Sequence, residues 1–267
     1  MSKFSTFRAL HMNNIMPLRL PNAWDAASAR LFESLGAHAI ATTSAGLAWS
    51  LGYRDGRQLP VKEAVSAISR IARVVRVPLS VDVENGYSDE PKAVAEHVRQ
   101  MLDLGVVGIN IEDGPDAPAL LAAKIEAIRT MASKANTELF INARCDVILA
   151  KLVEEPKQVA ESVARERLYR AAGADGLFLP GLYRAHDIRS VIDAIALPLN
   201  VMAWPGLPDA AELGRLRVRR LSAGAGIAHV LWGHAAALAR DFLQEGRSEP
   251  LHDAVPSAQL QELLTAR

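Results

Sequence analysis

The sequence predicts an α/β fold, a closed (β/α)8 barrel with extra helices at its C-terminal end. Short β-branched and apolar runs, each stopped by Gly, Pro, Asn or an acid, alternate along the whole chain with amphipathic stretches. About eight such runs are separated by helices, with no long edge strand or linker, which implies parallel pairing through right-handed crossovers. The chain has 267 residues, a length that an α/β barrel fills as a single domain. A doubly wound open sheet is the competing arrangement, but no G-x-G-x-x-G follows the first strand. Residues 1–267 therefore read as one barrel domain, with the helices from about 227 to 267 as an addition.

Ser5 to Met12 reads as a short helix ahead of the barrel, and Leu18 to Asn22 as the first strand. Ala26, Ala29, Leu31 and Leu35 follow a helical spacing that stops at Gly36. His38 to Thr43 is the second strand and runs directly into Ser44-Ala-Gly46. The polar, Gly-containing segment from Leu47 to Leu59 is longer than a simple connector. Pro60 stands where a helix can start, ahead of a helical stripe over Val61 to Arg76. Leu79-Ser-Val-Asp-Val-Glu84 is the third strand; Ser88 or Asp89 caps the next helix, which ends at Leu104-Gly105. Val106 to Ile111, Leu139 to Arg144, Gly176 to Leu179, Leu199 to Met202 and Arg219 to Ser222 are the remaining strands. Helices over Leu120 to Ala135, Gln158 to Ala172 and Ala185 to Ala194 lie between them, and Ile227 to Gln244 and Ser257 to Leu264 close the chain.

Composition narrows the function. Hydrophobic residues at 50% and charged residues at 22% are ordinary for a globular protein. The net charge is zero and no basic stripe appears, which argues against a nucleic-acid surface. One cysteine excludes an intramolecular disulfide and suits a reducing compartment. Met1 to Leu10 lacks the apolar core of a signal peptide, and no run approaches the length of a membrane span. A cytoplasmic protein is expected.

In a barrel, chemistry sits on the strand ends and the loops that follow them. There the chain places Asn22 and Asp25, Ser44 and Gly46, Asp82 and Glu84, Asn110 and Glu112, Asn142 and Arg144, and Asn200. Residues two apart on a strand point the same way, so Asp82 and Glu84 are expected to share one face. Like charges facing one cavity raise one another's pKa unless a cation neutralises them. A hard divalent ion that takes oxygen ligands, Mg2+ above all, is the natural partner; a solvated loop with two acids is the alternative. Arg144 is the strand-end cation, and its planar fork suits a substrate carboxylate. A structural ion pair with Glu112 or Asp146 is the other reading of it.

These residues also carry a resemblance. Leu20-Pro-Asn-Ala-Trp-Asp25, Thr43-Ser-Ala-Gly46, Gly52-Tyr-Arg-Asp55, Asp82-Val-Glu-Asn-Gly-Tyr87, Asn110-Ile-Glu-Asp113, Asn142-Ala-Arg144 and Pro198-Leu-Asn-Val-Met202 stand in the order found in one family. The chain resembles the isocitrate lyase/phosphoenolpyruvate mutase superfamily, whose members are TIM-type barrels. The resemblance implies a Mg2+ site, with Mn2+ as a substitute. Asp82 matches the family's direct ligand, and Asp55, Glu84 and Glu112 match the acids that hold the metal's waters. Many relatives carry an aspartate where Glu84 stands. Ser44, Ala45 and Gly46 match the backbone amides that hold the substrate carboxylate, and Trp24 and Asp25 match the pocket floor. Arg144 matches the arginine that pairs with the substrate, and Asn200 falls on the matching rim of strand seven. The implied chemistry is formation of the enolate of a small 2-oxo acid, and the implied assembly is a homodimer or homotetramer that exchanges a C-terminal helix.

The chain departs from its lyase relatives after strand four. They carry Lys-Lys-Cys-Gly-His on a loop there, with the cysteine as proton donor. Here Glu112-Asp-Gly-Pro-Asp-Ala-Pro-Ala-Leu120 holds no Cys, His or Lys. Cys145 follows Arg144 and points away from the pocket by alternation, as a core thiol. Asp113 and Asp116 read as parts of a solvated turn. Without the cysteine, aldol-type cleavage lacks its acid, whereas loss of CO2 from a β-oxo acid such as oxaloacetate does not need it. Enolate protonation could then come from water, Tyr53 or Tyr87. The expected activity is a Mg-dependent carbon–carbon lyase resembling an oxaloacetate decarboxylase, with Asp55, Glu112, Arg144 and Tyr53 as its catalytic set. The alternatives are carbon–phosphorus chemistry on a phosphonopyruvate-like substrate, and a non-catalytic 2-oxo acid binding protein.

Overall fold

A computed structural model describes residues 1–12, 15–252 and 254–265 of the chain. Short β-branched runs become strands: β1 (Leu18–Leu20), β2 (Asn22–Ala23), β3 (Ile40–Thr42), β4 (Leu79–Asp82) and β5 (Gly108–Glu112). They continue with β6 (Phe140–Arg144), β7 (Gly176–Leu179), β8 (Leu199–Met202) and β9 (Arg220–Ser222). All pairings are parallel, in the order β1-β9-β8-β7-β6-β5-β4-β3-β2. The two ends of that order are one strand interrupted at Pro21. Proline cannot donate to a ladder, yet its carbonyl still accepts from Ala41 N at 3.2 Å, while Leu20 O accepts from Ala223 N at 3.0 Å. The sheet is thus closed into a barrel of eight strand positions, as the βα rhythm of the sequence predicts.

The barrel helices are α2 (Ala26–Ser34), α4 (Val61–Val74), α5 (Pro91–Leu102), α6 (Pro118–Lys134), α7 (Gln158–Ala172), α8 (Ala185–Ala194) and α9 (Ala210–Arg215); α1 (Lys3–Leu10) precedes the barrel, and α3 (Ser44–Ser50) follows β3. The chain ends with α10 (Gly226–Glu245) and α11 (Ser257–Leu264). Helix α4 shows why these form. Ala64, Ala67, Ile68 and Ile71 recur at helical spacing and are buried against the sheet. Helix α7 stops at Gly173, whose φ of +106° is one that glycine adopts freely.

Three expectations change. Ser44 to Ser50 and Ala210 to Arg215 are short helices where the sequence reads as connection, because Thr43 and Asp209 cap them through their side chains. Helix α5 is capped by Glu90, not by Ser88 or Asp89. Helix α1 begins at Lys3, after Ser2 accepts a hydrogen bond from Ser5 N.

Inside the barrel the lower end is apolar and the middle polar. Phe7 from α1 plugs the bottom with Leu18, Leu20, Ala39, Ala41, Val107 and Phe140. A Cβ on Gly108 would stand 2.7 Å from the Phe7 ring, so the plug requires glycine there. His11 stacks on Phe140 with ring centroids 4.2 Å apart, and burial pushes its pKa down to about 3. Above the plug lies a belt of amides. Asn142 Nδ2 donates to Asn110 Oδ1 at 2.9 Å and to Asn200 Oδ1 at 3.0 Å, and Arg220 Nη2 donates to Asn110 Oδ1 at 3.2 Å. Gly176 makes room for the belt, since a Cβ there would lie 2.7 Å from Asn142 Oδ1. Replacing Gly176 by alanine is expected to lower stability by about 1–3 kcal/mol in urea unfolding, through overpacking of this layer.

Candidate active site

The strand ends lift a set of acids above the amide belt. Asp82 ends β4 and is buried. Its Oδ2 accepts from Ser44 Oγ at 3.3 Å, its Oδ1 from Glu84 N at 3.2 Å, and its own amide donates to Thr42 Oγ1 at 2.9 Å. Glu84 reaches the site by a different route from strand alternation. β4 stops at Asp82, and Glu84 lies beyond it with φ +50°, a left-handed conformation uncommon outside glycine. That turn buries Glu84, whose Oε2 accepts from Arg57 N while Oε1 is buried without a hydrogen-bond partner.

Glu112 ends β5 beside Arg144, its register partner at the end of β6, and Arg144 Nη1 lies 2.7 Å from Glu112 Oε2. Arg144 also grips Asp146, with Nε to Oδ1 at 2.7 Å and Nη2 to Oδ2 at 3.1 Å. Arg144 is therefore paired with both Glu112 and Asp146. A guanidinium has five N–H groups; Asp146 takes one on Nε and one on Nη2, and Glu112 stands against Nη1 as an ion pair, which leaves N–H groups for a carboxylate.

Burial dominates the electrostatics. It raises the pKa of Asp82 and of Glu84, and Asp55 repels both. Glu112 is pushed up to about 8 by burial, although the Arg144 guanidinium pulls it down. Tyr87, also at positive φ, has a buried hydroxyl without a partner. Burial raises its pKa, and the charges of Glu84, Asp82, Glu112 and Asp55 all act in the same direction. The charges of Asp55, Asp82, Glu84, Glu112 and Arg144 thus converge on one region.

The other expected residues fall differently. Ser44, Ala45 and Gly46 are buried in the first turn of α3, where amides lie outside the helix's own ladder. A Cβ on Gly46 would come within 2.9 Å of Trp24 Cβ, and Trp24 itself is buried edge-on against Phe32. Asp25 stands at the start of α2. It is exposed, and its carboxylate caps α2 by accepting from Ser28 N at 2.7 Å. Asn200 has its amide engaged inside the barrel, accepting from Asn142 and donating to Ser222 Oγ at 3.2 Å. Asp55 and Tyr53 lie exposed on the loop between α3 and α4.

Asp113 also departs from expectation. It is fully buried, with Arg165 Nη1 at 2.8 Å and Tyr169 Oη at 2.5 Å on Oδ2, and Asp146 N at 2.8 Å on Oδ1. Sequence offers no signal for this beyond Arg165 and Tyr169 lying one helical turn apart on α7. Cys145 is buried next to this cluster, and burial raises its pKa.

Among the described residues, no three His, Cys, Asp or Glu side chains converge closely enough to enclose a metal directly. Mg2+ keeps several waters and takes one or two carboxylates. The buried, unpartnered Glu84 Oε1 and the crowded acids fit such a hydrated ion. Asp82 would ligate it, and Asp55, Glu84 and Glu112 would hold its waters.

The chain is similar to known proteins along most of its length. The family model described as phosphoenolpyruvate phosphomutase matches residues 7–243. A protein of Mycobacterium tuberculosis, named only as uncharacterised, is 37% identical over 97% of this chain and 96% of its own length. An oxaloacetate decarboxylase of Paraburkholderia xenovorans is 30% identical, over 90% of this chain and 81% of its own. The crystal structure of a proposed phosphonomutase from Burkholderia cenocepacia is 38% identical with a TM-score of 0.84, covering 89% of this chain and 99% of that one.

Because Glu112 has its pKa raised in the folded protein, it holds a proton that the unfolded chain has lost between about pH 4.5 and 8. Its contribution to stability is therefore present below pH 4.5 and is lost as pH rises towards 8. Metal-free protein is expected to melt at lower temperature at pH 8 than at pH 6, and Glu112→Gln to flatten that slope by about 1–3 kcal/mol. Thermal unfolding across that range checks it.

Proposed function

We propose a function for this chain from one premise: it belongs to the phosphoenolpyruvate phosphomutase family, within the isocitrate lyase/phosphoenolpyruvate mutase superfamily. The reaction is carbon–carbon cleavage of a small 2-oxo dicarboxylate, with oxaloacetate as the substrate and CO2 and pyruvate as products. The observation that carries this reading is the acid set of buried Asp82 and Glu84 and partly buried Glu112 beside Arg144, a cation held from one side by Asp146.

A bound Mg2+ would supply Lewis-acid stabilisation to the carboxylate and carbonyl oxygens of the substrate. Arg144 takes a substrate carboxylate through its open N–H groups, as a planar fork does well. The first-turn amides of Ser44 and Ala45 orient the other oxygens. As the C3–carboxylate bond breaks, its electron pair passes into the C2 carbonyl, giving the enolate of pyruvate and free CO2. C3 then takes a proton. The loop that follows β5 offers no cysteine, histidine or lysine for this. Water or Tyr87 supplies the proton, and the buried hydroxyl of Tyr87 lies among the acids whereas Tyr53 is exposed.

A second reading, carbon–phosphorus chemistry on a phosphonopyruvate-like substrate, is favoured by the likeness to the proposed phosphonomutase of Burkholderia cenocepacia. Helix α10 also bears on assembly. Val230, Leu231, Trp232 and Phe242 on it are about half exposed, a surface suited to a second copy in a homodimer or homotetramer. No described helix is long and apolar enough to cross a membrane.

With Mg2+ present, the protein is expected to convert oxaloacetate to pyruvate, and Asp82→Ala to lower kcat/KM by about a hundredfold or more. Coupled assay of pyruvate measures both. Turnover of phosphonopyruvate without oxaloacetate decarboxylation would favour the second reading. Binding without turnover of either would leave a binding protein.

A further inference from the structure

Arg144 is held from behind by a chain of buried contacts that runs out to the surface helix α7. Its guanidinium is gripped by Asp146 through two bonds, at 2.7 and 3.1 Å. Asp146 is fixed in turn: its backbone amide donates to Asp113 Oδ1 at 2.8 Å. Asp113 also donates its own amide to the carbonyl of Arg144 at 3.2 Å, so it ties the end of β5 to both sides of Cys145. On Oδ2, Asp113 accepts from Arg165 Nη1 at 2.8 Å and Tyr169 Oη at 2.5 Å. Arg165 is oriented by Glu161 Oε1 at 2.8 Å. Asp146, Asp113, Arg165 and Tyr169 are all buried, and Glu161 is half-buried at the surface end.

Fold stability alone is a weak reason for this arrangement. A buried ion pair is often no better for stability than apolar side chains of the same volume. What the chain of contacts does supply is geometry. A guanidinium held by Asp146 through Nε and Nη2 and paired with Glu112 through Nη1 has its plane fixed. We propose that Tyr169 and Arg165 on α7 are positioning residues for Arg144, acting through Asp113 and Asp146 to fix the plane in which its guanidinium meets the substrate carboxylate. This rests on the reading of Arg144 as the substrate-binding cation. None of the four touches substrate, and the outer helix becomes part of the recognition apparatus.

The test is a double-mutant cycle with a binding readout, using oxalate as a planar dianionic probe in the presence of Mg2+ and titration calorimetry on the full chain. Tyr169→Phe removes one hydroxyl and no volume from the core. It is expected to weaken oxalate binding about fivefold and to raise KM more than it lowers kcat. In an Arg144→Lys background the same change is expected to cost less than about twofold, because the residue it acts through is gone. Asp146→Asn, which breaks the grip on Arg144 directly, is expected to behave in the same way with a larger loss, and carries the cycle if Tyr169→Phe does not fold. Equal losses in both backgrounds would overturn the inference, as would a lower melting temperature with oxalate binding unchanged. If the wild type bound no oxalate, or Arg144→Lys left binding intact, the functional reading would fail and this inference with it.

Discussion

The desolvation of a set of carboxylates organises the active end of this barrel. Asp82, Glu84 and Glu112 lie close together with little water to screen them, and burial opposes their ionised forms. Such a group is stable only as protonated acids, with a neighbouring cation, or around a bound one. Arg144 offsets part of the charge, acting on Asp82 and on Glu112, with which it pairs. The remainder stands around the unpartnered oxygen of Glu84. A site held in this state is preorganised for a cation and, with it, for an anionic substrate.

The barrel below exists in a form that can sustain this. Parallel strands carry the acids to one rim, while the closed ring leaves no sheet edge to satisfy. The apolar plug around Phe7 seals the far end. Between plug and rim, the linked amides of Asn110, Asn142 and Asn200 fill the interior with groups that satisfy one another. That layer tolerates no extra methyl at Gly176 and passes its rigidity to the strand ends directly above. Outside the barrel, α7 reaches the same rim through Asp113.

Much of this was legible in the amino-acid order. Strand and helix alternation gave the barrel, because each element carries its own period of two or 3.6 residues and stops at its own Gly or Pro. Asp82, Glu112 and Arg144 stand on strand ends, where position alone predicts the direction of the side chain. Glu84 was placed correctly among the acids for an incomplete reason, since a left-handed turn and not strand alternation directs it inward. Asp113 was misread as solvated because its partners, Arg165 and Tyr169, are more than fifty residues away and only the fold brings them together. The capping role of Asp25 was not legible, because one residue type caps helices and lines pockets equally well; the position of Ser28 N reveals the cap. Contacts set by one element's period are visible in sequence, and contacts made across elements are not.

The central claim is that these acids hold a hydrated divalent cation. Titrating metal-free protein with Mn2+ while following water-proton relaxation tests it most directly, since the signal reports both the number of ions bound and the water each retains. One Mn2+ per chain that keeps most of its water is expected. An absence of bound Mn2+, or an ion stripped of water by direct protein ligands, would contradict it.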